Sequence, residues 1–483
     1  MARFSDMLDY FGQSPIVVRS SSLLEDTFLN SFPGKYESVF CPNQGTRQRR
    51  LEQFLHAVRL VYASSFSEDA LLYRAKRGLL DRDEQMALLV QRVSGNKFGP
   101  FFYPHLAGVG MSLNPFVWSP ELDPTAGLVR LVFGLGTRAV DRNDDDYTRI
   151  ISLDLPLKRP ESSTEDIREH TQRRIDYLDL ERNQFESDYF SNVVERSPGL
   201  CANAFAKRRF VEGRDGTSVL GAYELELDGL LRKTTLVSEL RAMLSTLRKA
   251  YGCEVEIEFT ANFRDCDDYT IHLLQCRPLR VRGRDSGIDA TSSSPDEIVL
   301  IRSHGAVLGS SRVAPIERIC YVSVSEYGRL PMRDRYAVAR LVGRIVRASV
   351  TERVEHLLLV GPGRFGTTVP ELGVPVTSGE LNGVSVLCEI DRMHEGLNPE
   401  LSFGTHFFHE IVESDLLYIG CAVTSESSHF EQDYFESAEN RLGELFPADC
   451  ALEDVVRIIE PPIERRLTMR ADNVAQEALL CMR

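Results

Sequence analysis

Lysine is scarce in this chain: of its 56 basic residues seven are Lys and 49 are Arg, and none of the seven lies beyond Lys249. An arginine-favouring genome produces such a bias, but any step that needs a lysine amine is confined to residues 1–249. The ten Cys include no C-x-x-C pair, which removes the usual zinc spacing and leaves no disulfide framework. Reduced thiols of a cytoplasmic protein are expected. No apolar run reaches the roughly 18 residues that a membrane span requires, and the opening MARFSDMLDYFG has no signal-peptide core. No membrane partner is therefore expected. Acidic residues outnumber basic ones 71 to 56, and the net charge of −15 argues against a general nucleic-acid binder.

What is present is globular in kind. The 483 residues are 43% hydrophobic and 26% charged, enough for two or three domains with buried cores. The sharpest change in composition is GRDSGIDATSSSPDE, residues 283–297, whose small turn-forming residues cannot bury a face. It divides the chain into 1–285, a linker at 286–297, and a smaller mixed α/β domain at 298–483. Strand-like runs at 16–18, 87–93, 128–133, 254–259 and 269–274 alternate with helical stretches, which predicts an α+β first domain. The best helix is 47–64, with Leu51, Phe54, Leu55, Val58, Val61 and Tyr62 at helical spacing. The charged stretch EDIREHTQRRIDYLDLERNQ reads as a solvated helix with a connecting strand, without chemistry. In the second domain strands are expected at 298–301, 356–360 and 384–390, and helices at 333–346 and 437–445.

Two segments carry chemistry. In VVRSSSLLEDTFLNSFPGKYES a short strand delivers Arg19 beside three serines, and a glycine loop holds Gly34, Lys35 and Ser38. A guanidinium forks two oxygens and glycine lets backbone N–H groups approach, which suits a polyphosphate; an ordinary strand and surface loop is equally open. In EVEIEFTANFRDCDDYTIHLLQCRPLR, period-two alternation sets Glu254, Glu256 and Glu258 on one strand face and Gln275 with Arg277 on one face of the next. Paired as a hairpin, they would bring carboxylate, amide and guanidinium together, hard oxygen ligands for Mg²⁺ beside a phosphate-neutralising cation. A solvated carboxylate face is the alternative.

In their order along the chain, VVRSSS…SFPGKYES, LLVQRV at 88–93, FGLGTRAVD at 133–141, IEFT at 257–260 and LLQCRPL at 273–279 resemble the nucleotide-binding domain of pyruvate phosphate dikinase, phosphoenolpyruvate synthase and rifampicin phosphotransferase. The resemblance spans about 1–285 and implies an ATP-grasp fold, two α+β lobes clamping ATP, with ATP and Mg²⁺ as cofactors. It implies that Arg19, Gly34 and Ser38 hold phosphates, that Gln91 and Val93 lie on an inter-lobe hinge beside adenine, and that Glu258 and Gln275 bind Mg²⁺ and nucleotide. Arg277 would contact the phosphates being cleaved, so Arg19 and Arg277 are the catalytic candidates. Gly134 and Gly136 match the family's glycine turn, but Thr137 stands where the family has an acid.

The family's Gly-Gly-Lys segment lies some 70 residues before its Arg-Ser-Ser motif, whereas 18 residues precede Arg19 here. The N-terminal lobe is therefore expected to be incomplete, with a missing segment or a partner supplying that lysine. No G-G-x-T-S-H phosphohistidine motif occurs; His304 is the nearest substitute, and an ordinary loop histidine is the other reading. The 186 residues after the linker are too few for the phosphoenolpyruvate barrel. Two features stand out in them. LLLVGPGRFGTT runs a strand into glycines and Arg364, suited either to an anion or to a tight turn against another backbone. LSFGTHFFHEIVESDLLY, with His406 and His409, reads mainly as a buried helix. The expected activity is transfer of phosphate from Mg-ATP to an unidentified small-molecule or protein acceptor, with Arg364 and His406 at the acceptor site. The alternative is a nucleotide-sensing module without turnover.

Overall fold

In the computed structural model the described residues are 2–22, 26–27, 30–31, 36–67, 70–71, 74, 81, 85–119, 121–140, 146–161, 164–212, 218–265, 268–279, 297–367, 370–393, 399, 401, 411, 416–423, 425, 427–462, 464–473 and 475–483. They form two compact units: 1–112 with 127–279, and 113–126 with 280–483. The 286–297 linker thus lies outside the described residues apart from Glu297. An excursion at 113–126 belongs with the later unit.

The first unit opens with α1 (Ala2–Phe11), β1 (Ile16–Ser22), β2 (Ser38–Cys41), α2 (Arg47–Ser64) and β3 (Met86–Arg92). The strands form an antiparallel sheet in the order β2-β1-β3. Thr46 caps α2 by accepting from the Arg49 amide. The buried face of α2 is Phe54, Ala57 and Val61, packed with Leu8, Ile16 and Val18, while Tyr62 is exposed. Leu51 and Val58 pack against the same core, so Tyr62 is the one residue of the expected stripe that is exposed.

A larger set of strands follows: β4 (Asn96–Phe98), β5 (Phe101–Tyr103), β6 (Leu106–Met111), β7 (Leu128–Phe133), β8 (Arg149–Ser152), β9 (Arg174–Asp179), β10 (Gln184–Tyr189), β11 (Val255–Phe263) and β12 (Tyr269–Pro278). Five make an antiparallel sheet ordered β8-β7-β6-β11-β12, and four make another ordered β10-β9-β5-β4. Helix α3 (Leu236–Tyr251) buries Leu236, Leu240 and Leu244, and ends where Gly252 takes a left-handed φ of 71°. The unit is α+β, as its alternation of runs predicts. The charged stretch 165–184 holds more structure than its composition suggests: after a six-residue helix, β9 is buried along most of its length. Its acids are buried because they are bonded; Asp179 accepts from the amides of Glu181 and Arg182.

The second unit has a five-stranded antiparallel sheet containing β13 (Ile298–His304), and a six-stranded one whose centre is parallel. That centre runs β14 (Arg318–Val322), β15 (Leu357–Pro362), β16 (Val386–Ile390) and β17 (Leu417–Cys421), with α4 (Met332–Thr351) between β14 and β15. These strands are buried throughout, as apolar parallel strands must be. The helix expected at 437–445 is instead two short ones, Gln432–Ser437 and Leu442–Leu445. Asn440 breaks it: its Oδ1 accepts from the amides of Leu442 and Ile458, and its Nδ2 donates to the Glu453 carbonyl.

Candidate active site

The first unit contains a cavity of about 390 Å³. Alternation along β1 builds one wall. Ile16 and Val18 are buried in the core beneath α2, so Val17 and Arg19 face the cavity. Ser38, directly opposite Arg19 on β2, and Gln91, opposite Val17 on β3, join them. The chain then leaves β3 through Val93, whose amide donates to the Pro15 carbonyl at 2.9 Å. Ser94 ties this crossover to the other wall: its hydroxyl lies 2.7 Å from Thr260 Oγ1 and accepts from Asn262 Nδ2 at 2.9 Å.

The facing wall is the β11–β12 hairpin, in which Glu258 pairs with Gln275 and Glu256 with Arg277. A bulge follows Glu258, where the register shifts to Phe259 opposite Leu273. The two walls meet at Arg19. Its Nη2 donates to Gln275 Oε1 at 2.6 Å, and its Nη1 lies 3.6 Å from Glu258 Oε2, with both charged side chains mostly buried. One guanidinium therefore spans the amide and carboxylate that the sequence places together.

Glu254, Glu256 and Glu258 do not form one solvated face. Glu254 accepts from Ser112 Oγ at 2.7 Å and pairs with Arg248 at 2.8 Å, whereas Glu256 accepts from Arg277 Nε at 2.6 Å. Each carboxylate has its own cation, and Arg277 lines the cavity with its guanidinium engaged by Glu256. Gly34 and Lys35 lie outside the described residues.

Leu135, Gly136 and Thr137 also line the cavity. Gly134 carries a φ of 97°, and a Cβ there would overlap Ile175 Cγ2 on β9, so the turn requires glycine. Thr137 Oγ1 donates to Asp176 Oδ2 at 2.6 Å, and Arg138 Nε donates to Asp176 Oδ1 at 2.9 Å. Arg138 also reaches Asp146, which accepts the amides of Arg173 and Arg174. Burial raises the Asp146 carboxyl above its ordinary range, against the pull of those amides and of Arg138. Sequence reasoning missed Asp176 because it sits in the charged stretch; the alternation of β9 around Ile175 and Tyr177 was the available signal.

In the second unit, the GPGRFG loop uses its amides internally. Gly363 N donates to the Ile390 carbonyl, Arg364 N to Leu372, Gly366 N to Val374, and Phe365 N to the buried carboxylate of Glu389. The loop is thus a tight turn against other backbone, and its N–H groups cannot cradle an anion. The Arg364 side chain is half-buried. His406 and His409 lie outside the described residues. His304 is exposed at the end of β13, with Nδ1 3.4 Å from Glu477 Oε1. Among the described residues no group of three or more His, Cys, Asp or Glu could hold a metal, and no helix is long and apolar enough to cross a membrane.

Two α+β walls joined by a short crossover and bridged by an arginine define the first unit as a nucleotide-binding domain of the ATP-grasp kind. Residues 1–297 match the family model described as pyruvate phosphate dikinase, AMP/ATP-binding domain, and the chain belongs to that family. No curated protein matches the chain.

Proposed function

We propose that the first unit closes over Mg-ATP in this cavity and transfers a phosphoryl group to an acceptor. The reading rests on the Arg19 guanidinium held between Glu258 and Gln275. Adenine lies at the crossover beside Gln91 and Val93, and the phosphates run toward Arg19 and Ser38, with Gly34, which lies outside the described residues, as the further phosphate contact the family resemblance implies. Glu258 and Gln275 fit Mg²⁺: a carboxylate and an amide oxygen are hard ligands, and two protein oxygens plus phosphate oxygens and water match its preference. When bound, the ion supplies neutralisation of the β- and γ-phosphate charge. Arg19, which contacts those same two oxygens in this structure, would fork the phosphates beside them. Arg277 carries the second positive charge for the departing group, its orientation fixed by Glu256. The second unit is assigned the acceptor, with Arg364 and His406 as contacts.

A second reading, a nucleotide sensor without turnover, is favoured by one observation: among the described residues the cations lining the cavity are Arg19, Arg92 and Arg277, with no lysine. ATP labelled in its γ-phosphate, incubated with the protein and with water, phosphate and a panel of small metabolites, separates the two. Transfer of label that is lost in Glu258→Gln supports the phosphotransferase; binding with no transfer to any of them supports the sensor.

A further inference from the structure

The hydrophobic cores of the first unit are separate. Leu8, Ile16, Val18 and Phe54 pack beneath the three-stranded sheet, whereas Phe133, Ile175, Leu240 and Phe259 pack among the larger sheets, and no described residue belongs to both. Lobes with separate cores move against each other unless other contacts fix them. Those contacts are set out strand by strand. At one edge of the small sheet β3 runs into the crossover at Val93; on the central strand Arg19 reaches across the cavity; at the other edge β2 runs into Asn43 and Gln44. Cys41 and Arg92 both lie opposite Ile16, so the two edge connections leave the same end of the sheet, about 10 Å apart.

Gln44 meets Asn183, the last residue before β10. Asn183 Oδ1 accepts from the Gln44 amide at 3.0 Å, its Nδ2 donates to the Gln44 carbonyl at 3.4 Å, and its carbonyl accepts from Gln53 Nε2 at 3.1 Å. Gln53 Oε1 in turn accepts from the Asn43 amide at 3.3 Å. Asn183 and Asn43 are both buried and left-handed, with φ of 60° and 59°. Glycine would take that conformation without strain, so the turn by itself does not call for Asn183; the Gln44 backbone uses its carboxamide. The apolar part of this contact is thin: the rings of Phe40 and Phe185 lie 5.9 Å apart, and Phe185 is exposed. Hydrogen bonds rather than buried area hold this edge, and their geometry fixes an orientation more than it adds stability.

We propose that Asn183 is a positioning residue for the cavity. With the crossover at Val93 it gives the first lobe two fixed points at one end of its sheet. The lobe turns about the line between them and swings Arg19 and Ser38, three residues farther along the paired strands, toward and away from the facing wall. With the crossover alone the lobe would twist as well as close, and Arg19 would meet Glu258 and Gln275 for only part of the time. That this closure serves a nucleotide rests on the assignment of the cavity to ATP; the two fixed points do not.

Spin labels carried on clickable amino acids at Arg59 on α2 and Ser245 on α3, both exposed, report the distance between the lobes in the full chain without nucleotide. Asn183→Gly keeps the left-handed turn and deletes the carboxamide, whereas Asn183→Asp keeps an oxygen for the Gln44 amide. The distance distribution is expected to broaden in Asn183→Gly and to return to the wild-type width in Asn183→Asp. Mg-ATP affinity is expected to follow the same order: a lobe correctly oriented for a tenth of the time binds about tenfold more weakly. Equal widths in wild type and Asn183→Gly, a width left broad in Asn183→Asp, or a broadened width with unchanged Mg-ATP affinity overturns the proposal. A broadened width in a chain whose wild type binds no Mg-ATP keeps the two fixed points and removes the assignment to ATP instead.

Discussion

Arg19 and Arg277 differ in what surrounds them, and so do the consequences of removing them. Arg19 touches two groups across the cavity, whereas Arg277 is clasped by Glu256 on the neighbouring strand. Arg277→Ala is expected to weaken ATP by about tenfold to a hundredfold, the range for losing a charge-assisted contact. Glu256→Gln, which frees Arg277 without deleting it, is expected to leave affinity within about threefold, since it removes only a positioning contact; equilibrium titration with ATP compares the two. His105 sets a pH dependence. Its folded-state pKa, about 4, lies below the ordinary 6.5, so the unfolded chain binds the extra proton first. Stability from this group is therefore complete above pH 6.5 and is lost as pH falls toward 4. Wild type is expected to lose about 2 kcal/mol more than His105→Gln between pH 7 and 5, read from urea unfolding. That Glu258 and Gln275 come together was legible in the sequence, because alternation fixes which side chains share a face; Arg19 stood out only as an arginine beside serines, and its place between those two comes from the pairing of β1 and the fold. The strand around Asp176 left a local signal, but its bonds to Thr137 and Arg138 did not, because those residues are distant in sequence and only the fold brings them near.

At the scale of elements, strands were easier to read than breaks. The runs at 16–18, 128–133 and 269–274 all lie within observed strands, since apolar alternation is a local signal. The interruption at Asn440 depends on carbonyl and amide groups of residues 453 and 458, which no local window contains. The GPGRFG loop is similar: its glycines announce a turn, but only the fold shows that Leu372, Val374, Ile390 and Glu389 take its amides. The turn after β7 makes the sharpest element-level prediction. Gly134→Ala puts a Cβ against Ile175 at a positive φ, and a loss of about 3 kcal/mol is expected. A fall in the denaturant midpoint at unchanged slope is the measurement, and an unchanged midpoint would mean the turn tolerates a side chain.

At the scale of the whole molecule, the domain boundary is not a single cut. Residues 113–126 belong with the later unit, where Leu113, Phe116, Trp118 and Leu122 are buried. Composition marks the polar break at 283–297 but cannot reveal that an earlier segment packs elsewhere, because those apolar residues look like core for either unit. A chain ending at residue 279 is therefore expected to expose them and to aggregate or bind a hydrophobic dye. Replacing 113–126 with a Gly/Ser linker in that fragment is expected to restore a monodisperse species in size-exclusion chromatography. The lysine scarcity bears on the molecule as a whole too: the cations described around the nucleotide cavity are arginines, and Arg19 joins its walls. The most direct measurement is calorimetric titration of Mg-ATP into the full chain and into Arg19→Met, with circular dichroism to show that both are folded. One site per chain in the wild type, and affinity at least about tenfold lower in the variant, is the result predicted; equal affinity in two folded proteins would contradict the assignment of this cavity to ATP.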